Sequence, residues 1–308
     1  MPVVVERTRP AMGSLFQVRL IGDDAEHLAA CAEAALDEVA RVERLLSWRD
    51  VCSETSRVNR EAATRPVLVD FEFAQFLAIC KQGEAATAGF FDVAVQSRCV
   101  EGNVGELWQV DVERRLVRFA SPDVRLDFGA VGKGYALDCA AAELRRFGVV
   151  NALVDGGTSS VLALGTDEFG NSWPVGLRNP FAARPESRDT WPLELGQLRL
   201  ADLALSCSAV HDAVNSPGDE SDLLDPTTGR PVTQTAAYAV VASSGTRAEV
   251  LSTALCAMGT VWAEAYTKEE SNELLRDVVA IVRLDVGDDP AASPGITPLL
   301  LRRPGVLV

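Results

Sequence analysis

The sequence predicts an α+β fold in which mixed sheets pack against helices. Segments with alternating apolar and polar residues interleave with segments whose apolar residues recur at helical spacing. Two strand segments are separated by only a short polar turn and therefore indicate a hairpin, which argues against a strictly doubly wound parallel sheet. The 308 residues are 47% hydrophobic and 24% charged, which is typical of a globular protein with a sizeable core.

The individual elements follow from this spacing and from capping and turn residues. The predicted strands lie at residues 15–21, 107–112, 116–119, 126–128, 151–155, 161–164, 173–177, 236–243 and 278–284. The predicted helices run from the capping residues Asp23 and Asp24 to Leu46, and over residues 71–87, 134–146 and 247–258. Gly148 and Gly259 end the last two helices. The polar stretches 181–195 and 211–224 are expected to be loops.

The composition excludes several classes of protein. Lys and Arg number 29 against 44 Asp and Glu, a net charge of −15, so we expect no nucleic-acid partner. The seven cysteines are scattered without a Cys-x-x-Cys pair, and buried reduced thiols are expected rather than disulfides or a zinc site. The chain as given has neither a secretory signal pattern nor an apolar run of membrane-spanning length, so a cytoplasmic location is expected.

Two turns rich in small residues, each after a predicted strand, are suited to a phosphorylated ligand. Asp127 precedes the first turn, where it would either cap the turn or accept a hydrogen bond from a ligand. Lys133 lies at a helix start, where the helix dipole disfavours a cation unless an anion is nearby. The second turn contains Gly156, Gly157 and Thr158.

Further candidates lie on a helix, in a turn and among the aromatic residues. Glu249 and Thr253 share one helix face, which is either solvated surface or a pair of oxygen ligands for a hard cation such as Mg²⁺. Asp225 begins a tight turn, for which turn formation alone is a sufficient explanation. Trp48 and the pair Phe90-Phe91 before Asp92 would serve either as core or as flat walls for a ring system.

Six blocks of residues occur in an order that resembles one protein family. They are Met12-Gly13-Ser14, Leu46-Ser47-Trp48 with residues 53–59, and residues 89–95, 127–138, 225–231 and 249–253. The chain resembles the FAD:protein FMN transferases, or ApbE-type flavin transferases, from about residue 10 to 285. The resemblance implies one T-fold-related catalytic domain over residues 1–308, in which two intertwined lobes enclose a flavin cleft.

The resemblance also implies a Mg²⁺-dependent reaction with FAD as substrate. A Ser or Thr hydroxyl of an acceptor protein attacks the FAD pyrophosphate, FMN becomes attached to that protein, and AMP leaves. The implied metal ligands are the carbonyl of Ala130, Glu249 and Thr253. The implied catalytic residues are Asp222, Asp225 and Thr253. The implied flavin and nucleotide contacts are Met12, Trp48, Phe90, Phe91, Asp92, Asp127, Lys133, Gly156, Gly157 and Thr158.

The chain departs from the family pattern at several of these positions. Glu249 stands where the family has a shorter Asp, Asp222 replaces a His, and Thr158 replaces an Asp. Residues 93–94 are Val-Ala rather than Pro-Thr, and His211 is a candidate substitute for the missing His. Two alternatives to an active transferase therefore stay open. One is a catalytically silent flavin-binding protein, and the other is a pyrophosphatase that hydrolyses FAD to FMN and AMP.

Overall fold

The computed structural model describes residues 2–99, 106–157, 159–181, 194–210, 223–234, 236–269, 272–285, 295–303 and 305–307. Within these residues the fold is α+β, as the sequence predicts. Strands β1 to β15 are Val3–Ala11, Ser14–Gly22, Val67–Leu68, Trp108–Asp111, Leu116–Phe119, Asn151–Asp155, Ser160–Leu164, Trp173–Arg178, Glu194–Leu200, Leu203–Ala209, Leu224–Asp225, Arg230–Pro231, Ala237–Ala242, Val278–Asp285 and Gly295–Leu301. Helices α1 to α5 are Ala25–Leu46, Glu54–Glu61, Phe71–Ala86, Gly132–Arg146 and Gly245–Tyr266. Short 3₁₀ helices cover Val95–Cys99 and Glu273–Leu275.

One large antiparallel sheet organises the molecule, with strand order β1-β2-β6-β7-β10-β13-β14-β15. Successive side chains of a strand point to opposite faces, so the sheet contributes to two cores. On one face, Phe16, Val18 and Leu20 of β2 join the main core together with residues of α1, α4 and α5. On the other face, Val161 and Ala163 of β7 pack against the β8–β9 hairpin. Because both faces are covered, β13 is buried along its whole length.

The crossing of α4 and α5 depends on two glycines. A Cβ added to Gly134 would lie 2.3 Å from the carbonyl oxygen of Gly245, so neither helix has room for a side chain there. The carboxylate of Asp138, one turn further along α4, accepts hydrogen bonds from the N–H groups of Gly245 at 2.7 Å and Thr246 at 2.9 Å. Asp138 therefore caps the start of α5 from the neighbouring helix and fixes the position of Glu249 on α5.

Most of the predicted elements are confirmed. The first helix begins after Asp24, whose carboxylate accepts hydrogen bonds from two amides of the first turn, as its capping role predicts. The hairpin of β4 and β5 and the strands β2, β6, β7, β8, β13 and β14 lie where they were expected. Gly148, with φ of +78°, follows the end of α4.

Several predictions about secondary structure were wrong or incomplete. The prediction of a strand over residues 126–128 was wrong, because the backbone of Leu126 bonds to the side chain of Asn59 rather than to another strand. Gly259, with φ of 72°, has a non-helical backbone and interrupts α5 where the sequence predicts the helix to end, but the second helical segment that continues to Tyr266 was not predicted. Helix α2 and strands β1, β3, β9, β10, β11, β12 and β15 were not predicted. Most of the two expected loops lies outside the described residues.

The expectations about cysteines and membrane segments can also be compared with the structure. Six of the seven cysteines, those whose side chains the structure describes, are free thiols. Cys31, Cys80 and Cys256 are buried as expected, whereas Cys52 is exposed. None of the described helices has the length and apolarity that crossing a bilayer requires.

Candidate active site

A cleft lies where the start of α4 and the middle of α5 meet the adjacent ends of β7 and β10. It consists of two adjoining cavities of about 380 Å³ and 590 Å³. Trp48, Arg49, Asp127, Gly129 and Lys133 line both cavities. A single long ligand can therefore extend through the two cavities and pass these five residues.

The smaller cavity has an aromatic wall and a tight turn at its edge. Met12, at φ 50°, lies in the β1–β2 turn, and its N–H donates to the Glu43 carboxylate at 2.7 Å. Trp48 follows the end of α1 and is 45% exposed, although it is a large apolar residue. The Arg49 guanidinium lies 4.6 Å from the centroid of the Trp48 ring. This stacked pair offers a flat surface with positive charge to a ring system or an anion.

The segment after α3 supplies part of the larger cavity. Ala88 and Gly89 have positive φ values of 52° and 84° and turn the chain back. The N–H of Phe91 then donates to the hydroxyl of Thr87 at 3.0 Å. As a result Phe90 and Phe91 line the cavity together with Asp92, of which only 7% is exposed.

Asp127 has the capping role that the sequence left open, and it also lines the cleft. One oxygen of its carboxylate accepts the N–H of Gly129 at 2.9 Å. The other oxygen accepts the side-chain amide of Gln96 at 3.1 Å. Asp127 thus shapes the turn that leads into α4 while its carboxylate lines both cavities.

A buried carboxylate is the most unusual feature of the larger cavity. Glu249 is only 4% exposed, and its Oε1 accepts a hydrogen bond of 2.6 Å from the Ser160 hydroxyl. Its Oε2 is buried and has no hydrogen-bond partner in the part of the chain that the structure describes. Burial raises the pKa of Glu249, while the charge of Lys133, the Ser160 hydroxyl and the N–H of Gly134 act to lower it. A buried oxygen without a partner is costly, so this atom favours an added cation or donor.

The oxygen atoms around Glu249 fit a hard cation. Thr253 lies one turn along α5, half-buried, and its hydroxyl is 3.4 Å from that of Ser208. Ala130 lines the same cavity as Glu249 and Thr253. The described residues contain no group of three His, Cys, Asp or Glu side chains that could hold a metal. The predicted donors, which are the Glu249 carboxylate with hydroxyl and carbonyl oxygens, form a set that suits Mg²⁺ with retained waters better than a transition metal.

Ten of the residues predicted for the site line this cleft. They are Met12, Trp48, Phe90, Phe91, Asp92, Asp127, Ala130, Lys133, Glu249 and Thr253. Segments as far apart along the chain as Met12 and Thr253 thus meet in one place. Their individual roles stay predictions.

Gly156 and Gly157 do not line either cavity. Gly157 has φ of +95°, and a Cβ there would lie 1.8 Å from the Ser14 hydroxyl oxygen. That hydroxyl donates to the carbonyl of Gly156 at 3.0 Å. The two glycines therefore allow the β6–β7 turn to pack against the β1–β2 turn that carries Met12, and the geometry does not place them against a ligand.

Asp225 also lies outside the cavity lining. Its carboxylate accepts hydrogen bonds from the N–H and hydroxyl of Thr227 and from the hydroxyl of Thr228. Burial alone would raise the pKa of Asp225, but these hydrogen bonds hold it below its usual value. The structure therefore assigns Asp225 to the turn, which brings the neighbouring Pro226 into the cavity wall. Thr158, Asp222 and His211 lie outside the described residues.

Sequence reasoning missed four residues that the fold brings to the cleft or next to it. Arg49 lines both cavities, and Ser159, Ser206 and Ser208 line the larger one. Ser206 and Ser208 alternate along β10, and both hydroxyls contact that of Ser252 on α5. The signal available in the sequence was a pair of polar residues at strand spacing in an otherwise apolar strand.

The fold and the cleft together define a class of protein: an α+β protein with an elongated cleft that combines an aromatic wall with cationic side chains. The sequence matches the model of the ApbE family over residues 12–275. The chain therefore belongs to the ApbE family.

Relatives with curated names are FAD:protein FMN transferases. The protein of Vibrio cholerae is 24% identical over 332 aligned positions, which cover 96% of this chain and 92% of that protein. The protein of Klebsiella pneumoniae is 24% identical, with 84% of this chain and 80% of that protein covered. The protein of Rhodobacter capsulatus is 32% identical over 149 residues, but this match covers 46% of this chain and only 26% of that protein.

Solved structures of the family have the same fold. The flavin transferase ApbE from Vibrio cholerae superposes with a TM-score of 0.76 at 19% identity, with 97% of each chain covered. The flavinyl transferase ApbE of Pseudomonas stutzeri in its apo form gives a TM-score of 0.77 at 22% identity, with 96% and 94% covered. The expected ApbE-like α+β architecture is thereby confirmed.

Proposed function

We propose that this chain is a Mg²⁺-dependent flavin transferase that moves FMN from FAD to a Ser or Thr hydroxyl of an acceptor protein and releases AMP. Membership of the ApbE family and the names of the curated relatives support the reaction class. The observation that carries the proposal is the buried Glu249 carboxylate, whose Oε2 has no hydrogen-bond partner among the described residues and which lines the same cavity as Thr253 and Lys133.

FAD would extend through both cavities of the cleft. Trp48 would provide a flat wall for one of its ring systems, and Lys133, which lines both cavities, would lie beside the bridging phosphates. Arg49 adds a second cation at the junction of the cavities. Positive charge at this point is needed in a protein whose net charge is −15, because the protein as a whole repels an anionic ligand.

Glu249, Thr253 and the carbonyl of Ala130 would hold the Mg²⁺. When bound, this ion supplies charge neutralisation for the phosphate groups as the bridging P–O bond breaks. In the reaction the acceptor oxygen bonds to the phosphorus on the FMN side, the bond to the AMP oxygen breaks, and the acceptor hydroxyl gives up its proton. Asp222 and His211 stay the predicted proton acceptors.

The test is a reaction of the protein with FAD, Mg²⁺ and Ser- or Thr-containing acceptor proteins. We expect AMP release together with a mass increase of the acceptor equal to one attached FMN, and loss of both with EDTA or in Glu249→Gln. AMP release without an acceptor would instead establish hydrolysis of FAD. FAD binding that EDTA does not change, without turnover on any acceptor, would establish the silent flavin-binding alternative. Absence of FAD binding by the folded protein would refute all three functions.

A further inference from the structure

A chain of four side chains connects the start of α4 to the buried carboxylate on α5. Lys133 Nζ lies 2.7 Å from the Ser159 hydroxyl oxygen, which lies 3.2 Å from that of Ser160. The Ser160 hydroxyl lies 2.6 Å from Oε1 of Glu249. Ser160 is 1% exposed and Glu249 is 4% exposed, so the last link of the chain is shielded from water.

The donors in this chain can point in only one direction. An ammonium group has donors and no acceptor, so Lys133 donates to Ser159. The ionised carboxylate of Glu249 accepts only, so Ser160 must donate its single hydroxyl hydrogen to Oε1. The oxygen of Ser160 is then free to accept from Ser159. All three hydrogen bonds therefore run toward Glu249, and bonds aligned in this way polarise one another.

We infer that Ser160, oriented by Ser159 and Lys133, is the positioning residue that fixes the Glu249 carboxylate so that Oε2 is the oxygen presented to the metal. The inference rests on the proposed function, since it concerns the metal site of that function. Ser160 holds Oε1, and the adjacent Oε2 has no partner in the described residues. Partners that orient a metal ligand in this way typically change metal affinity by about 10- to 100-fold when removed.

The length of the Glu249 side chain matches the position of the Ser160 hydroxyl. Replacement of Glu249 by Asp withdraws the carboxylate by one methylene, about 1 Å or more, which takes a 2.6 Å hydrogen bond beyond its normal range. Glu249→Asp and Ser160→Ala therefore break the same contact. Their effects on metal affinity should overlap instead of adding, as expected for two residues that act through one interaction.

The experiment measures the affinity for Mn²⁺, which takes the same oxygen ligands as Mg²⁺, by EPR of the free ion. It uses the full chain with and without FAD. The variants are Ser160→Ala, Ser160→Thr, Ser159→Ala, Glu249→Asp, the double variant Glu249→Asp with Ser160→Ala, and Thr267→Val. Thr267 provides the matched control, because it is also buried and caps the far end of α5, where its hydroxyl donates to the backbone carbonyl of Glu264. Circular dichroism and urea unfolding establish that each variant is folded.

We expect Ser160→Ala to weaken Mn²⁺ binding about 10-fold or more, and Ser159→Ala by less. Ser160→Thr, which keeps the hydroxyl, should stay within about threefold of wild type, as should Thr267→Val. The double variant should bind no more weakly than Glu249→Asp alone. FAD affinity measured without metal should be the same in wild type and Ser160→Ala, because Ser160 orients the carboxylate and does not line the cleft.

Two results would overturn the inference, and only the second would also refute the metal site of the proposed function. If wild type binds Mn²⁺ and Ser160→Ala binds it equally well, or if the effects of Glu249→Asp and Ser160→Ala add, Ser160 does not position Glu249 while the proposed function stands. If wild type with FAD binds no Mn²⁺, the metal site of the proposed function is refuted and the inference with it.

Discussion

The contact between α4 and α5 gives a prediction whose size can be worked from the structure. In Gly134→Ala the new Cβ would lie 2.3 Å from the carbonyl oxygen of Gly245, whereas carbon contacts are favourable only from about 3.5 Å. The helices must therefore separate by roughly 1 Å. The hydrogen bonds of 2.7 Å and 2.9 Å that Asp138 accepts from the N–H groups of Gly245 and Thr246 would then be longer than the normal range.

The competing effects have opposite signs. Overpacking of a well-packed contact costs about 1–3 kcal/mol, and each weakened hydrogen bond to a charged group costs about 1.5 kcal/mol or more. Alanine is favoured over glycine within a helix by at most about 1 kcal/mol. We therefore expect Gly134→Ala to lower the free energy of unfolding by about 3 kcal/mol.

Urea unfolding followed by far-UV circular dichroism measures this change. Gly132→Ala is the matched control on the same helix, because its Cβ would meet only Leu46 at the ordinary distance of 3.8 Å. We expect this control to stay within about 1 kcal/mol of wild type. The reasoning would be refuted if Gly134→Ala were as stable as wild type, since the close contact would then be absent or easily relieved.

Three further predictions concern charged residues. Lys133→Met should weaken FAD binding at least about 10-fold, measured by flavin fluorescence, because it removes a cation that lines both cavities; unchanged affinity would place the phosphates elsewhere. Asp138→Ala should lower the free energy of unfolding in urea by about 3 kcal/mol, since it removes the acceptor of the Gly245 and Thr246 N–H groups, while the Ser244 hydroxyl still caps Arg247, and a loss below about 0.5 kcal/mol would contradict this role. Asp225→Ala should lower the free energy of unfolding by about 1 kcal/mol, because its carboxylate bonds within its own turn. The kcat of this variant should stay within about threefold of wild type. A loss of kcat above about 100-fold would instead show that Asp225 takes part in catalysis.

Local sequence signals were sufficient for much of the fold. Apolar spacing and an N-terminal Asp defined α1, since both features belong to one continuous segment. The same holds for β4 and β5, which are joined by a short turn. The element at 126–128 failed because extended backbone can bond to a side chain from elsewhere, here Asn59, 67 residues away. No local pattern reports such a partner.

The edge strand β1 near the start of the chain was not predicted for a related reason. Strand β1 reads Val-Val-Val-Glu-Arg-Thr-Arg-Pro-Ala and is mostly exposed at the edge of the sheet. An edge strand buries little apolar surface, so its sequence lacks the alternation that identifies a half-buried strand. Gly259 does interrupt the helix, as a glycine at this position typically does, but the chain resumes a helical segment after it, which no local signal indicated.

The same distinction between local sequence signals and long-range contacts applies to the candidate site. The sequence by itself determined which residue types are available: a lone lysine at a helix start, a carboxylate and a hydroxyl one turn apart, aromatic residues and small turns. Only the tertiary structure decided which of them meet. Ser160 bonds to Glu249 across 89 residues, and Ser14 excludes any side chain at Gly157 across more than 140. Such contacts depend on how helices pack on the sheet. Burial then turns Glu249, which by its sequence could be a solvated surface residue, into a shielded carboxylate with one oxygen that no described residue contacts by a hydrogen bond.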